Sequence, residues 1–210
     1  DEKTWQLNVQ AGKTLRTEGS SWLQKFTYGF DYTHTNVETL QTGLTPAAGE
    51  TFPLKRFPDS KESSAAFYIQ DEIASDHWII TPGVRYDRYK LDASANGYAS
   101  SIAPASLNDA AVSPKLGVLF RATSEWSVFG NYASGFKAPD ASQVNSYRES
   151  GSFPYYKTIP NPDLRPEKSR NFEVGVRGRT GGLSLDAALF TGRYKDLIEE
   201  NVVVVNGDRK

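Results

Sequence analysis

"QKFTYGFDYTHT", residues 24–35, places Phe26, Tyr28, Phe30 and Tyr32 on one side of an extended chain and Thr27, Gly29, Asp31 and Thr33 on the other. Side chains alternate across a strand, so this period of two describes a strand with one apolar and one polar face. The pattern recurs along the chain. "TWQLNVQAGKTL" (4–15) opposes Trp5, Leu7 and Val9 to Gln6, Asn8 and Gln10, and "AAFYIQDEI" (65–73) opposes Phe67 and Ile69 to Tyr68, Gln70 and Glu72, with Asp71 out of place on the apolar side. "HWIITPGVRYDRYKL" (77–91), "SPKLGVLFRAT" (113–123), "EWSVFGNYAS" (125–134), "RNFEVGVRGRT" (170–180) and "LSLDAALFTGRYKDLI" (183–198) repeat it. These stretches predict about eight strands, with a ninth in "NVVVV" (201–205), and no long helical period competes with them.

Connections carry the topology. Short turns are predicted at 16–21, 75–77, 123–125 and 179–182, and long connections at 37–63, 92–112 and 135–169. Short and long alternate strictly, so an antiparallel meander has all its tight turns at one end and all its long loops at the other. Outer-membrane barrels have this asymmetry, with short periplasmic turns and long extracellular loops. A soluble β-sandwich also alternates. Three features favour the barrel: strands of 11 or more residues, long for a soluble sheet; Trp22, Trp78 and Trp126 beside the short turns, where an interfacial girdle sits; and a second face too polar and glycine-bearing for a two-sheet core (Gly29, Gly83, Gly117, Gly175).

Composition narrows the function. The chain has 210 residues and a formal net charge of -1, with 24 Lys+Arg against 25 Asp+Glu, so no basic footprint for nucleic acid is present. Cysteine is absent, which removes disulfides, thiolate metal sites and a thiol nucleophile. No apolar run is long enough for a transmembrane helix, but barrels read as polar because only alternate residues face lipid. There is no initiating Met and no signal-peptide pattern at the start, and the expectation is a mature or excised stretch of a longer chain. Adjacent carboxylates such as Asp71/Glu72 and Glu199/Glu200 face opposite ways on a strand and cannot act as a pair. With two histidines far apart in this topology, no catalytic set and no catalytic cofactor are expected.

"ASGFKAPD" followed by "NPDLRPEKSRNFEVGVRG" resembles the paired FRAP and NPNL motifs of TonB-dependent outer-membrane receptors, here Phe136, Lys137, Ala138, Pro139 and Asn161, Pro162, Asp163, Leu164. "FPDS" (57–60) ahead of "AAFYIQDEI" is similar to the heme and hemoglobin receptor branch. The resemblance covers residues 57–200 and implies an all-β, antiparallel up-and-down transmembrane β-barrel of about 22 strands closed around a plug. Residues 1–210 are then expected to be a portion of that barrel domain, with the plug and its TonB contact outside it. The implied location is the outer membrane of a Gram-negative bacterium, and the implied partners are outer-membrane lipid, TonB through the plug, and heme or a hemoprotein such as hemoglobin. A siderophore or cobalamin ligand is the alternative reading, and a passive porin the second.

The long 135–169 segment holds the candidate site. The resemblance implies a histidine between the two motifs, yet none lies between Phe136 and Leu164. A tyrosine phenolate also ligates heme iron, which makes Tyr156, Tyr155 and Tyr147 the candidate axial ligands, in that order, with Phe153 to pack on the porphyrin. Lys157, Arg148, Lys137 and Arg165 are candidate partners for propionates. The prolines Pro160, Pro162 and Pro166 stiffen the exit of the loop, so the second motif reads as architecture. His77 belongs to a periplasmic turn, His34 to the outward face, and Glu173 and Arg177, sharing the inward register, are expected to bond each other or a plug.

Overall fold

The computed structural model describes residues 1–16, 18–45, 50–98, 103–150, 156–198 and 208–209, with backbone alone at 148–150, 156–157 and 208–209. Eight long strands form the main sheet: β1 (Glu2–Arg16), β2 (Leu23–Val37), β3 (Asp59–Ala74), β4 (Trp78–Ser94), β5 (Leu107–Arg121), β6 (Trp126–Lys137), β9 (Glu167–Thr180) and β10 (Leu183–Lys195). A five-residue helix, α1 (Ala141–Asn145), and the short strands β7 (Arg148–Ser150) and β8 (Tyr156–Thr158) lie between β6 and β9; β11 (Asp208–Arg209) pairs with β8. In the main sheet every strand pairs antiparallel with its chain neighbour, in the order β1-β2-β3-β4-β5-β6-β9-β10. This is the predicted eight-stranded meander, an open sheet with β1 and β10 at its edges; the ninth strand expected at 201–205 lies outside the described residues.

Register converts the alternation into rows that cross the sheet. Val9 opposes Phe30, Phe30 opposes Phe67, Phe67 opposes Tyr86 and Tyr86 opposes Val112. Further along, Leu116 opposes Tyr132, Tyr132 opposes Phe172, and Val174 opposes Leu189. Paired residues share a face, so these rows form one continuous apolar surface. Phe67 is 60% exposed and Val174 54%. A face this apolar and this exposed fits hydrocarbon, since outer-membrane barrels turn an apolar band outward. Aromatic pairs knit it: Phe30 and Phe67 centroids lie 4.7 Å apart, and those of Tyr132 and Phe172 4.8 Å apart.

At the short-turn end each hairpin closes on itself. Ser75 Oγ accepts from the Trp78 amide at 3.2 Å, and Thr123 Oγ1 accepts from the amides of Glu125 and Trp126. The two-residue Gly181-Gly182 turn has φ of 54° and 84°, which L side chains rarely adopt and which suits a hairpin loop. Trp78 opens β4 and stacks obliquely on Phe120, centroids 4.5 Å apart. His77 stays in its turn, its carbonyl accepting from the Arg121 amide.

The long connections are shorter than expected: they run over 38–58, 95–106 and 138–166. Strand pairing continues past the last alternating residue. Beyond a membrane both faces of a strand can be polar, so the ladder persists where the sequence signal stops. Glu173 and Arg177 do not bond each other. Glu173 accepts from Asn131 Nδ2 at 3.0 Å, and Arg177 Nε donates to Asp186 at 2.7 Å, because cross-strand partners stand closer than residues four apart along one strand.

Candidate functional site

The site grows from the chain leaving β6. Pro139 is fully buried, and Asp140 caps α1: its side chain accepts from the Gln143 amide at 2.8 Å, while Gln143 Oε1 accepts from the Asp140 amide at 3.1 Å. This reciprocal capping box satisfies two amides that a helix start leaves open. It aims Ala141 and Val144 at the polar face of the sheet, where they meet Tyr89 and Leu91 of β4, with Ala105, Leu107, Ala138 and Leu164 packed around them. Leu91 and Val144 have no exposed surface. A small apolar core thus sits on the face opposite the lipid belt, at the long-loop end.

Polar contacts lock the helix into this place. Asn145 is completely buried: Oδ1 accepts from the Ala105 amide at 2.6 Å, Nδ2 donates to the Ala105 carbonyl at 2.8 Å, and its own carbonyl accepts from Tyr98 Oη at 2.8 Å. Tyr89 Oη donates to the Pro139 carbonyl at 3.1 Å, and Glu62 accepts from the Ala141 amide at 3.1 Å. Asn161 donates its amide to the Val144 carbonyl at 2.8 Å, and Tyr147 donates its amide to Arg56 O at 3.1 Å. Arg56 in turn pairs with Glu50 at 2.7 Å and Gln41 at 2.8 Å. All three long connections are therefore joined through α1 and Tyr147, two residues beyond its end.

Glu62 and Tyr89 lie more than about ten residues from the short turns, beyond the length of a membrane crossing. Burial pushes the Glu62 carboxyl up, partly offset by the Ala141 amide, with Asp140 and Glu2 pushing the same way as burial. Burial likewise pushes the Tyr89 phenol up, helped by Glu62 and Asp140. Lower on the same face, Arg85 bridges Asp31 and Asp87, and Tyr68 Oη donates to Gln10 at 3.0 Å. Gln10, Asp31, Tyr68 and Arg85 border a trough of about 470 Å³ that also reaches Lys115 and Ser134. Among the described residues no group of three His, Cys, Asp or Glu side chains could hold a bare metal ion.

The expected site residues divide. Ala138, Pro139, Asn161 and Leu164 converge around α1; Pro162 and Asp163 form the turn behind them, the Asp163 amide donating to Asn161 Oδ1 at 3.2 Å. Phe136 and Lys137 end β6 opposite Lys168 and Glu167. Tyr147 packs edge-on against Tyr98, centroids 6.3 Å apart. Backbone pairing sets Arg148 opposite Thr158 and Tyr156 opposite Ser150; the side chains of Arg148, Tyr156 and Lys157, and all of Phe153 and Tyr155, lie outside the described residues. His34 remains on the outward face, 2.9 Å from Ser63 Oγ and stacked near Trp5. Sequence reasoning missed Glu62, Tyr89, Leu91 and Asn145.

The family described as TonB dependent receptor-like, beta-barrel matches residues 1–209. The chain is 29% identical over 185 residues to a hemin receptor of Yersinia pestis, covering 79% of this chain and 25% of that protein. It is 30% identical over 140 residues to the metal-pseudopaline receptor CntO of Pseudomonas aeruginosa, covering 63% and 18%. The fold is that of the hemophore receptor HasR of Serratia marcescens, solved in complex with its hemophore HasA and heme: TM-score 0.71, 16% identity, 92% of this chain and 33% of that one. The chain thus spans a quarter or less of the curated relatives.

Proposed function

Because the chain belongs to the TonB-dependent receptor-like β-barrel family, we propose that it supplies wall and outer binding loops to a Gram-negative outer-membrane receptor that captures heme, free or carried by a hemoprotein, for import driven by TonB through a plug. The family is one of receptors, and no catalytic step is assigned. The observation that carries the reading is the joining of the three long connections around α1. A segment bearing Tyr147, Phe153, Tyr155 and Tyr156 departs from that anchored point. Anchoring both ends of a binding arm lowers the entropy lost on capture. The name of the Yersinia relative supports heme as the ligand, and phenolate ligation suits ferric iron. Tyr156 or Tyr155 is the proposed axial ligand, with Lys157 and Arg148 the proposed propionate partners.

The test is a heme titration of the intact, detergent-solubilised receptor followed by absorbance, with Tyr155→Phe and Tyr156→Phe compared. A high-spin ferric, phenolate-type spectrum lost in one variant supports the reading. No Soret shift at micromolar heme would overturn it in favour of a siderophore. That second reading has its own support in the likeness to a metallophore receptor and in the missing histidine between Phe136 and Leu164.

A further inference from the structure

Tyr98 and Tyr147 stand where the three long connections cross. Tyr98 belongs to the second, at the end of a tight turn in which its amide donates to the Ala95 carbonyl at 3.2 Å. Gly97 sits in that turn at a φ of 69°, a conformation that glycine adopts without steric cost. Lys55 of the first connection forms an isolated parallel bridge with Tyr98, and its ammonium is paired with Asp59. Toward the third connection the Tyr98 side chain makes two separate contacts. Its hydroxyl donates to the Asn145 carbonyl at 2.8 Å, one of the groups that the end of a helix leaves open. Its ring meets Tyr147 edge-on, with 78° between the planes and 6.3 Å between centroids, an arrangement that the ring quadrupoles favour. Both residues are half-buried.

Tyr147 is also the residue from which the aromatic arm departs. β7 begins at Arg148, opposite Thr158 of β8, and Ser150 stands opposite Tyr156, so backbone pairing closes the arm at its base. Strands of three residues are too short to fix their own direction. The root has to supply it. On one side the Tyr147 amide donates to the Arg56 carbonyl at 3.1 Å, which sets where the chain passes and leaves rotation about that bond open. The edge-on contact with Tyr98 removes that freedom. On the other side the Asn161 amide is held by the Val144 carbonyl at 2.8 Å, so both roots return to α1.

We propose that Tyr98 is a positioning residue for ligand capture: its ring, acting through Tyr147, sets the direction of the 148–158 arm, and its hydroxyl holds the end of α1 from which that arm starts. The proposal rests on heme as the ligand and adds a division of labour among the tyrosines. Tyr147 supports the arm, while Tyr155 or Tyr156 meets the iron. An arm ordered before capture loses less entropy on binding, so Tyr98 contributes to affinity and leaves the coordination of the iron unchanged.

The test titrates hemin into the intact detergent-solubilised receptor, read by absorbance and by hydrogen exchange, for the parent, Tyr98→Phe, Tyr98→Leu, Tyr147→Leu and the double Leu variant. Tyr98→Leu should weaken hemin binding about fivefold, the worth of one edge-on ring contact, with the Soret band of the parent intact. Tyr98→Phe keeps the ring and should recover most of that loss, its mark being faster exchange at the end of α1. Tyr147→Leu should also weaken binding with the spectrum unchanged, and adding Tyr98→Leu to it should cost little more, because residues that act as one contact are not additive. Parent affinity in Tyr98→Leu, additive losses in the double variant, or an altered Soret band in Tyr98→Leu or Tyr147→Leu would each overturn the proposal. Absence of a Soret shift in the parent overturns the heme reading instead. Ligand-free exchange then decides the positioning role: Tyr98→Leu should speed exchange of the Tyr147 amide, and an unchanged rate there would sink it. If Tyr98→Leu does not fold, Tyr147→Leu carries the test, and parent affinity in that variant overturns the proposal.

Discussion

The two ends of this sheet are built on opposite principles. At the short-turn end each turn is closed by local contacts, such as Trp78 with Ser75 and Trp126 with Thr123, each three residues apart, and neighbouring strands meet in ladder contacts such as Arg121 with His77 and Ser75. At the long-loop end they bridge distant chain: Ala141 to Glu62 across 79 residues, Tyr89 to Pro139 across 50, Ala105 to Asn145 across 40. One end closes each turn from within and joins its neighbours as the ladder extends, while the other can form only when several connections arrive together. Loop-closure cost grows with the chain enclosed, so the outer end is expected to open before the wall does, as ligand-binding regions commonly do.

The sharpest way to break that contrast is Asn145→Leu. It removes the acceptor and donor that hold Ala105 and leaves that residue's half-buried amide and carbonyl without these partners, at a cost of about 2–4 kcal/mol. Hydrogen exchange should show lost protection over 95–106 and 138–146 with the short turns unchanged; equal loss at both ends would refute the division. Gly175→Val tests the wall instead. A Cβ there would stand 2.6 Å from the Ala187 carbonyl on the polar face and also meet the Phe129 ring, so overpacking should lower the unfolding midpoint by about 1–3 kcal/mol equivalents while α1 contacts persist until the sheet fails.

Smaller effects sharpen the picture. Tyr89→Phe deletes one buried hydrogen bond to Pro139 and should cost about 1 kcal/mol, read as faster exchange in α1 alone. Glu62 adds a pH dependence. Its carboxyl is raised above 4.5, so the folded state holds the proton more tightly than the unfolded chain does. Its stabilising contribution is complete below that ordinary value and is lost as pH rises through the raised one. Glu62→Gln keeps an acceptor for the Ala141 amide without the charge. Protection of that amide, corrected for intrinsic exchange, should fall with rising pH in the parent and stay level in the variant.

What could be read in the sequence follows the same division. Rows such as Phe26, Tyr28, Phe30 and Tyr32 were legible because lipid imposes one rule on every second residue. The α1 anchor was half legible. Its capping box, Asp140 to Gln143, is a local signature. In "RYDRYKL" the apolar residues change parity between Tyr86 and Tyr89, which marks where the opposite face of β4 acquires a cover. Asn145 carries no such mark, since its partner Ala105 is chosen by tertiary packing. The exchange of partners by Glu173 and Arg177 has the same origin: side-chain pairing in a sheet is decided across strands, and a single strand does not contain that information.

The most direct test of the account is hydrogen exchange of the intact receptor with and without hemin, followed at both ends of this segment. Added protection is expected over 38–58, 95–106 and 138–166 together, because α1 and Tyr147 join them, with the Ser75, Thr123 and Gly181 turns unchanged. Protection confined to one of those connections, or none in any, would contradict it.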